Sequence, residues 1–457
     1  MDRRTFVKKA AILTGLNPLA EITSVITEHQ TDSMVKVIQT HSNFEREKLL
    51  RPFGFKGGYL TELWQTAVKL RSEKFDGIGL ATQSVLYGDA DLFARYSEAG
   101  GNALMYALTE KALQQVKETP FSDPVNLLDK IQPGIYEEAK RMTGKNDLNE
   151  NFLMNAMVSV DNAAWLLYAA ETGRENFYDM LPSAYKPALS YKNNKVAFMF
   201  QVSYGMPLGD LVKAVREGYF IIKIKTGQPG TQPEMLEKDM ARLSQIHQAL
   251  RDFRTDHTSD GKLIYTLDAN ARYEKKETLQ RYLDHAKKIS AFSQILFIEE
   301  PLNENNSEDV SDLGVRVGAD ESVHDETTAL RRLKQGYSLM VLKGIAKTLS
   351  KSLKIAKLAH DRNVPCILAD LTVNPILIDW NKNLAARVKP FPGMDMGMIE
   401  TNGDVNYVNW QAMLSRHPAA GAAWTRVNKG VFELNDEYFS RSGGIFEKSS
   451  HYEAFLK

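Results

Sequence analysis

Short apolar runs alternate with amphipathic helical stretches along the second half of the chain, from about residue 196 onward. Apolar runs that alternate with helices are typical of βαβ units, whose parallel strands are buried on both faces. The helical stretches include 234–251, 275–289 and 349–362. The strand candidates are VAFMFQV, YFIIKIK, KLIYTLD, ILFIEE, VRVGAD, YSLMVLK and VPCILAD, with an eighth expected near 394–399. This pattern predicts a closed β/α barrel rather than an open sheet.

The first half of the chain lacks this alternation. We predict strands at 35–39 and 76–83, followed by long helices at 102–117, 125–142 and 155–172. The last helix contains AMVSVDNAAWLLYAA, which is apolar on nearly every side, so it should be buried. This half is therefore predicted to be an α+β domain.

A chain of 457 residues accommodates a barrel of ordinary size and a second domain. We place the α+β domain at 33–192 and the barrel at 196–429. The segment VNKGVFELN is expected to return a strand to the first domain, so that residues of about 430–457 complete that domain. The predicted fold class is α/β, a modified TIM barrel with an α+β domain in front of it.

Composition excludes several classes of function. Lys+Arg and Asp+Glu both total 57, so the formal net charge is zero, which argues against a nucleic-acid partner. No apolar run is long enough to predict a membrane span. Cys366 is the only cysteine, so an intrachain disulfide and a cysteine metal cluster are excluded.

The N-terminus reads MDRRTFVKK and continues into the mildly apolar AAILTGL. This segment, which we place at 1–30, resembles a twin-arginine export signal and implies a periplasmic or otherwise exported protein. That pathway moves folded proteins, which suits an enzyme that loads a metal before export. The alternative is a basic amphipathic helix on a cytoplasmic protein.

Three acidic residues, Asp268, Glu299 and Asp320, end three consecutive predicted strands. A barrel would bring them to one rim, where three close carboxylates repel each other unless a cation neutralises them. Ligation by oxygen alone favours Mg²⁺, with Mn²⁺ as the alternative. Single acids at such junctions are often helix caps, but three in order make that explanation improbable. The neighbouring Glu300 and Glu321 are assigned supporting roles.

Lysines stand on the strands before and after these acids. Lys223 and Lys225 are two residues apart on one strand, so their side chains share a face, and a strand covered on both sides favours the barrel interior. Crowded cations should depress each other's pKa and help a lysine act as a neutral base. Lys343 lies several strands further round and could face Lys225, although alone it would be taken for a surface lysine.

The motifs KIK, LDAN, IEEP, ADES and LK, in this order, resemble those of the enolase superfamily. The closer resemblance is to the muconate lactonizing enzyme subgroup, which includes dipeptide epimerases and o-succinylbenzoate synthase. It covers roughly residues 196–370 and implies a (β/α)7β barrel with an α+β capping domain. The mandelate racemase branch places a His-Asp pair late in the barrel, and VPCILADL contains no histidine.

The resemblance implies a role for each residue of the set. Asp268, Glu299 and Asp320 would bind Mg²⁺, Lys225 and Lys343 would be the two acid/bases, and Lys223 would lower the pKa of Lys225. The implied chemistry is removal of the proton α to a carboxylate through an enediolate, most simply racemisation or epimerisation. The alternatives are a dehydratase or other lyase of the superfamily acting on an acid sugar, and an exported binding protein without catalysis.

The chain also departs from the family pattern. The glycine pair often found after the final lysine is replaced by GIAKTLSKS, and the segment 43–115 is longer than usual. FGFKGGY is a candidate lid whose Lys56 could meet a substrate anion. Asp370 could bind a substrate ammonium or cap a helix, and Asn270 is a third candidate substrate contact. We expect a small-molecule carboxylate substrate and a homo-oligomer.

Overall fold

Eight parallel strands close into a barrel in the computed structural model, which describes residues 34–457. The predicted export segment at 1–30 lies outside the described residues. Each barrel strand pairs with the next in sequence, and the last pairs with the first. The strands are β4 (Lys195–Val202), β5 (Ile221–Lys225), β6 (Ile264–Asp268), β7 (Ile295–Glu299), β8 (Arg316–Ala319), β9 (Leu339–Leu342), β10 (Cys366–Leu368) and β11 (Gly397–Glu400).

All seven strand candidates and the expected eighth strand are present, because apolar β-branched runs buried on both faces have few alternatives. The helices of this half surround the barrel or follow it. They are Leu208–Arg216, Gln232–Leu250, Lys276–Lys288, Glu326–Lys334, Leu349–Asp361, Pro375–Arg387, Gly403–Asn406, Trp410–Ser415, Asp436–Arg441 and Ser450–Phe455. The fold class predicted from the sequence is confirmed.

The first domain places helices against an antiparallel sheet. Its strands, β1 (Gln39–Phe55), β2 (Gly58–Arg71) and β3 (Asp76–Gln83), pair in sequence order. Its helices are Val85–Gly88, Ala90–Glu118, Pro124–Thr143 and Glu150–Thr172. The strand at 76–83 and the three long helices confirm the prediction, whereas the strand at 35–39 is reduced to a bridge between Val35 and Phe121.

The helix Glu150–Thr172 is buried along most of its length, as its apolar sequence predicts. Strand β3 lies so close to it that a Cβ on Gly79 would stand 2.1 Å from the Ser159 carbonyl oxygen, so only glycine fits there. A polar side chain also joins this helix to β3: the side-chain amide of Asn155 donates to the Thr82 carbonyl at 3.0 Å. The capping domain therefore has one rigid layer.

One prediction about the C-terminus is wrong. Strand β12 (Val431–Glu433), which lies in VNKGVFELN, pairs antiparallel with the barrel strand β4 and not with the first domain. The end of β4 that precedes its pairing with β5 has a free edge, and β12 covers it. The last residues do touch the first domain, since Asn43 donates to the Phe455 carbonyl at 3.2 Å. Over the described residues, no helix is long and apolar enough to cross a membrane.

A buried contact joins the capping helix to the barrel. Asp161 accepts from the backbone N–H of Ser350 at 3.0 Å and from its hydroxyl at 2.5 Å, so it satisfies a free donor in the first turn of Leu349–Asp361. Burial raises the pKa of Asp161 from 3.8 to about 7, although the hydrogen bonds from Ser350 oppose that shift. This contact fixes the helix that follows Lys343.

We expect Asp161→Ala to lower the free energy of unfolding by about 2 kcal/mol, because it leaves a buried helix donor unpaired. Asp161→Asn keeps an acceptor and should cost less. Because the pKa is higher in the folded state, the contribution of Asp161 to stability should decline as pH rises from about 4 to about 7. Urea unfolding across that range tests this: the Asn variant should lose that part of the pH dependence. Equal stability of the Ala variant and the wild type would contradict the prediction.

Candidate active site

The structure brings the three predicted acidic ligands to one rim of the barrel. Asp268 ends β6, Glu299 ends β7, and Asp320 follows β8, and these three strands are neighbours in the sheet. Asp268 lies in register with Glu299. All three side chains are buried. The prediction that they converge is confirmed, because the carboxyl ends of parallel barrel strands share one face.

Lys223 lies inside the barrel among acids. Its Nζ donates to Glu299 at 2.8 Å and to Glu400 at 2.6 Å, and lies 3.0 Å from Asp268. Burial favours the neutral amine, but the carboxylates outweigh burial and raise the pKa of Lys223 well above 10.5. The expectation that crowding lowers lysine pKa values is therefore wrong for Lys223, since its nearest charges are carboxylates.

Lys225 shares the inward face with Lys223, as its spacing predicted. Its Nζ lies 2.5 Å from Asp268 and 3.2 Å from the side-chain oxygen of Asn270. The ring of Phe55, from the capping domain, lies 6.0 Å from the same ammonium. Lys225 is thus held between a predicted metal ligand and the cap.

Lys343 is buried and not a surface lysine. It follows β9, four strands from β5 in a ring of eight, so it faces Lys225 across the barrel. Its Nζ pairs with Asp320 and lies 4.9 Å from the centre of the Tyr87 ring. Burial opposes the charge, but Asp320 raises the pKa of Lys343 well above 10.5.

Lys347 was not recognised from the sequence, but it lies among the residues of the site. It lies one turn after Lys343, is buried, and donates to the backbone carbonyls of Asp320 and Val323. Its Nζ also lies 3.3 Å from Asp320 Oδ1. The four-residue spacing from Lys343 was the available signal, because it can span one turn, and the backbone N–H of Lys347 does donate to the Lys343 carbonyl at 2.8 Å.

Glu400 was also missed. It ends β11, the strand whose predicted range stopped one residue earlier, and is buried. One of its oxygens accepts from Gln201 at 2.7 Å and the other from Lys223. Carboxylate oxygens of Asp268, Glu299 and Glu400 lie within 4.8 Å of one another, so among the described residues they also form a candidate cation site.

The two candidate ligand sets differ in their third acid, Asp320 or Glu400, and these acids differ in whether their carboxylate oxygens accept hydrogen bonds. Glu299 Oε1 and Asp320 Oδ1 are buried and accept no hydrogen bond from the described residues, whereas both oxygens of Glu400 are taken. Burial and the Asp268 charge raise the pKa of Glu299 well above its ordinary value, even though Lys223 opposes this, so a cation bound beside Glu299 would favour its charged form. Buried oxygen donors of this kind fit a hard divalent cation. The free oxygen of Asp320 supports the predicted set, whereas the short separations join Asp268 and Glu299 to Glu400, so the third ligand is assigned below as a proposal.

The neighbouring acids support the site as expected. Glu300 accepts from the backbone N–H of Asp320 at 2.6 Å and from the Ser322 hydroxyl at 2.9 Å, so it fixes the turn that carries Asp320. Glu321 accepts from the side-chain amide of Asn270 at 2.9 Å. Asn270 therefore links Lys225 to Glu321.

The other two candidate substrate contacts have local partners. Asp370 accepts from the backbone N–H groups of Leu371, Val373 and Asn402, which braces the loop before the helix Pro375–Arg387. These hydrogen bonds give Asp370 a structural role similar to that of the predicted helix cap. Binding of a substrate ammonium by Asp370 stays a prediction.

Lys56 lies at the tip of the β1–β2 hairpin, in the segment that was expected to form a lid, and donates to the Tyr87 carbonyl at 2.9 Å. A substrate contact by Lys56 also stays a prediction.

Two cavities meet at this site. The inner one lies between Lys225 and Lys343 and is closed on the cap side by Phe53, Phe55 and Leu60. The outer one, with a volume of about 630 Å³, lies between the capping domain and the barrel loops. Asn270 and Glu321 line both, so they form the passage between the reacting lysines and a larger polar chamber.

A family model described as "Enolase C-terminal domain-like" matches residues 208–408. A comparison with curated proteins finds no match in sequence. Among solved structures, the chain is similar to a dipeptide epimerase from Enterococcus faecalis V583, solved with Mg and the dipeptide L-Leu-L-Tyr. The TM-score is 0.60 at 18% identity, over 88% of this chain and 97% of that one.

Two further structures are similar. The N-succinyl Arg/Lys racemase from Bacillus cereus ATCC 14579 gives a TM-score of 0.60 at 12% identity, over 88% of this chain and 93% of that one. The L-Ala-D/L-Glu epimerase from Bacillus subtilis gives a TM-score of 0.57 at 17% identity, over 88% of this chain and 96% of that one. At these identities the likeness concerns the fold. Residues 208–408 therefore match the enolase C-terminal domain-like family model, and the chain shares the two-domain fold of these solved structures.

Proposed function

We propose that this protein is a Mg²⁺-dependent racemase or epimerase that moves the proton on the carbon α to a carboxylate. One observation carries the proposal: Lys225 and Lys343 lie on opposite sides of the barrel and line the same inner cavity. Inversion requires a base on one face of the carbon and an acid on the other. The three relatives named above are epimerases and racemases, which agrees with this chemistry.

Asp268, Glu299 and Asp320 would hold the Mg²⁺, because all three side chains are buried. In addition, Glu299 Oε1 and Asp320 Oδ1 accept no hydrogen bond from the described residues. When bound, the cation would polarise the substrate carboxylate and stabilise the charge that builds there as the α-proton leaves.

The lysines supply the proton transfers. A neutral lysine on one face takes the proton from the α-carbon, and the ammonium on the other face returns a proton to the same carbon. Lys225 pairs with Asp268 and Lys343 with Asp320, so if those carboxylates bound a cation, both lysines would be released from their ion pairs and free to meet the substrate. Lys223 stays between Glu299 and Glu400, where it fixes both acids.

The inner and outer cavities indicate the size and shape of the substrate. Apolar side chains of the capping hairpin close the inner cavity and keep water from the lysines. The outer chamber leaves room for a group much larger than the carboxylate. A dipeptide or an N-acylated amino acid has this shape, with its carboxyl end inside and its remainder in the outer chamber.

Calorimetric titration with Mg²⁺ tests the ligand set. Asp320→Asn and Glu299→Gln should each weaken binding by about ten-fold or more, because each removes an oxygen ligand. Glu400→Gln is the matched control and should bind Mg²⁺ nearly as tightly as the wild type. Weaker binding in Glu400→Gln than in Asp320→Asn would place the cation on Asp268, Glu299 and Glu400. A wild type that binds no divalent cation would favour a non-catalytic binding protein.

A screen of dipeptides, acylated amino acids and acid sugars in D₂O should reveal exchange at the α-carbon. For the best substrate, Lys225→Ala and Lys343→Ala should each slow inversion by about a thousand-fold, because each removes one of the two proton carriers. Lys357→Ala is the control, since Lys357 pairs with Asp361 on an exposed helix face. Exchange accompanied by loss of water would identify a lyase, and inversion that survives both changes would contradict the assigned bases.

A further inference from the structure

The capping domain contributes a tyrosine to the inner cavity that sequence reasoning did not single out. Tyr87 lies in the short helix Val85–Gly88, directly after β3, and is 1% exposed. Its ring lies between two lysines, with Lys343 Nζ at 4.9 Å and Lys56 Nζ at 5.4 Å from the ring centre. Lys56 also donates to its backbone carbonyl. These contacts hold the ring in one orientation.

The hydroxyl of Tyr87 has no hydrogen-bond partner among the described residues, although it is buried. A buried hydroxyl without a partner is unfavourable, so a position that keeps one suggests an acceptor that comes from outside the chain. Tyr87 lines the inner cavity together with Lys343 and Glu321, and the Lys343 ammonium lies 4.9 Å from its ring centre, which places Tyr87 at the reacting end of that cavity. Burial raises the pKa of Tyr87 well above 10, so the hydroxyl keeps its proton and can donate it.

We propose that the Tyr87 hydroxyl donates a hydrogen bond to an oxygen of the bound substrate on the Lys343 side of the reacting carbon. This inference rests on the proposed function. The substrate then presents an acceptor oxygen to the capping domain, either from its reacting carboxylate or from the carbonyl of an N-acyl group. Both are oxygen acceptors of the same chemistry, and a probe that lacks the acyl carbonyl separates them. Tyr87 thereby becomes a contact through which the capping domain selects the substrate.

Tyr87→Phe is the direct test, because it keeps the ring between the two lysines and removes only the hydroxyl. Without substrate, the melting temperature should be unchanged or higher, since no partner is lost. The kcat/KM for the dipeptide or acylated amino acid that exchanges fastest should fall by about ten-fold, the usual effect of losing one neutral hydrogen bond. Stabilisation of the Mg²⁺-loaded protein against heat by N-acetyl-L-alanine should fall as well.

Tyr438→Phe is the matched control. Tyr438 is fully buried, its hydroxyl has no partner among the described residues, and Lys382 Nζ lies 5.7 Å from its ring centre, but it does not line either cavity. This variant should keep wild-type kcat/KM and wild-type stabilisation by N-acetyl-L-alanine. If both variants behave alike, the Tyr87 hydroxyl does not contact the substrate.

Two further outcomes are informative. A lower melting temperature with unchanged kcat/KM in Tyr87→Phe would show that the hydroxyl has a structural partner, and would overturn the inference while leaving the proposed function standing. If the wild type exchanges no probe, the proposed function fails, and the heat stabilisation by N-acetyl-L-alanine still decides whether Tyr87 contacts a carboxylate. Propionate lacks the acyl carbonyl, so an equal loss of stabilisation with propionate assigns the contact to the carboxylate, and a loss confined to N-acetyl-L-alanine assigns it to the carbonyl.

Discussion

The mouth of the barrel depends on the mutual neutralisation of buried charges. Four carboxylates are paired there with four lysines: Asp268, Glu299, Asp320, Glu400, Lys223, Lys225, Lys343 and Lys347. Each buried charge costs several kcal/mol in lost hydration, and only close partners offset this. Removing one member therefore leaves an unpaired buried charge, and adding a divalent cation redistributes all the pairs. The positions of the two proposed bases are consequently linked to metal binding.

The capping domain contributes side chains next to these charged residues at the mouth of the barrel. Its hairpin places Phe55 near Lys225, and its short helix places Tyr87 beside Lys343, so each proposed base has an aromatic neighbour from the cap. Asp161 fixes the start of the helix that follows Lys343 and Lys347. The proposed chemistry thus lies on barrel strands, while the proposed selection of substrate depends on a domain that reaches both lysines.

Most of the barrel could be predicted because strands buried on both faces give apolar runs with a polar residue at their ends. The same regularity located the acids of β6 to β8 and the lysine pair of β5. Glu400 and Tyr87 could not be recognised, because their importance arises from neighbours distant in sequence, and Lys347 was marked only by its four-residue spacing from Lys343. The strands β1 and β2 escaped prediction because polar residues on their exposed face interrupt the apolar pattern. The three-residue strand β12 has only two apolar residues, which do not specify which sheet edge the strand joins.

Lys225 and Lys343 are proposed to serve opposite faces of one carbon. Solvent deuterium exchange, measured separately from each stereoisomer of the substrate, tests this most directly. If the two lysines divide the faces, Lys225→Ala and Lys343→Ala will each retain exchange from one stereoisomer, and the retained stereoisomer will differ between the two variants. Exchange lost or retained from the same stereoisomer in both variants would contradict the account.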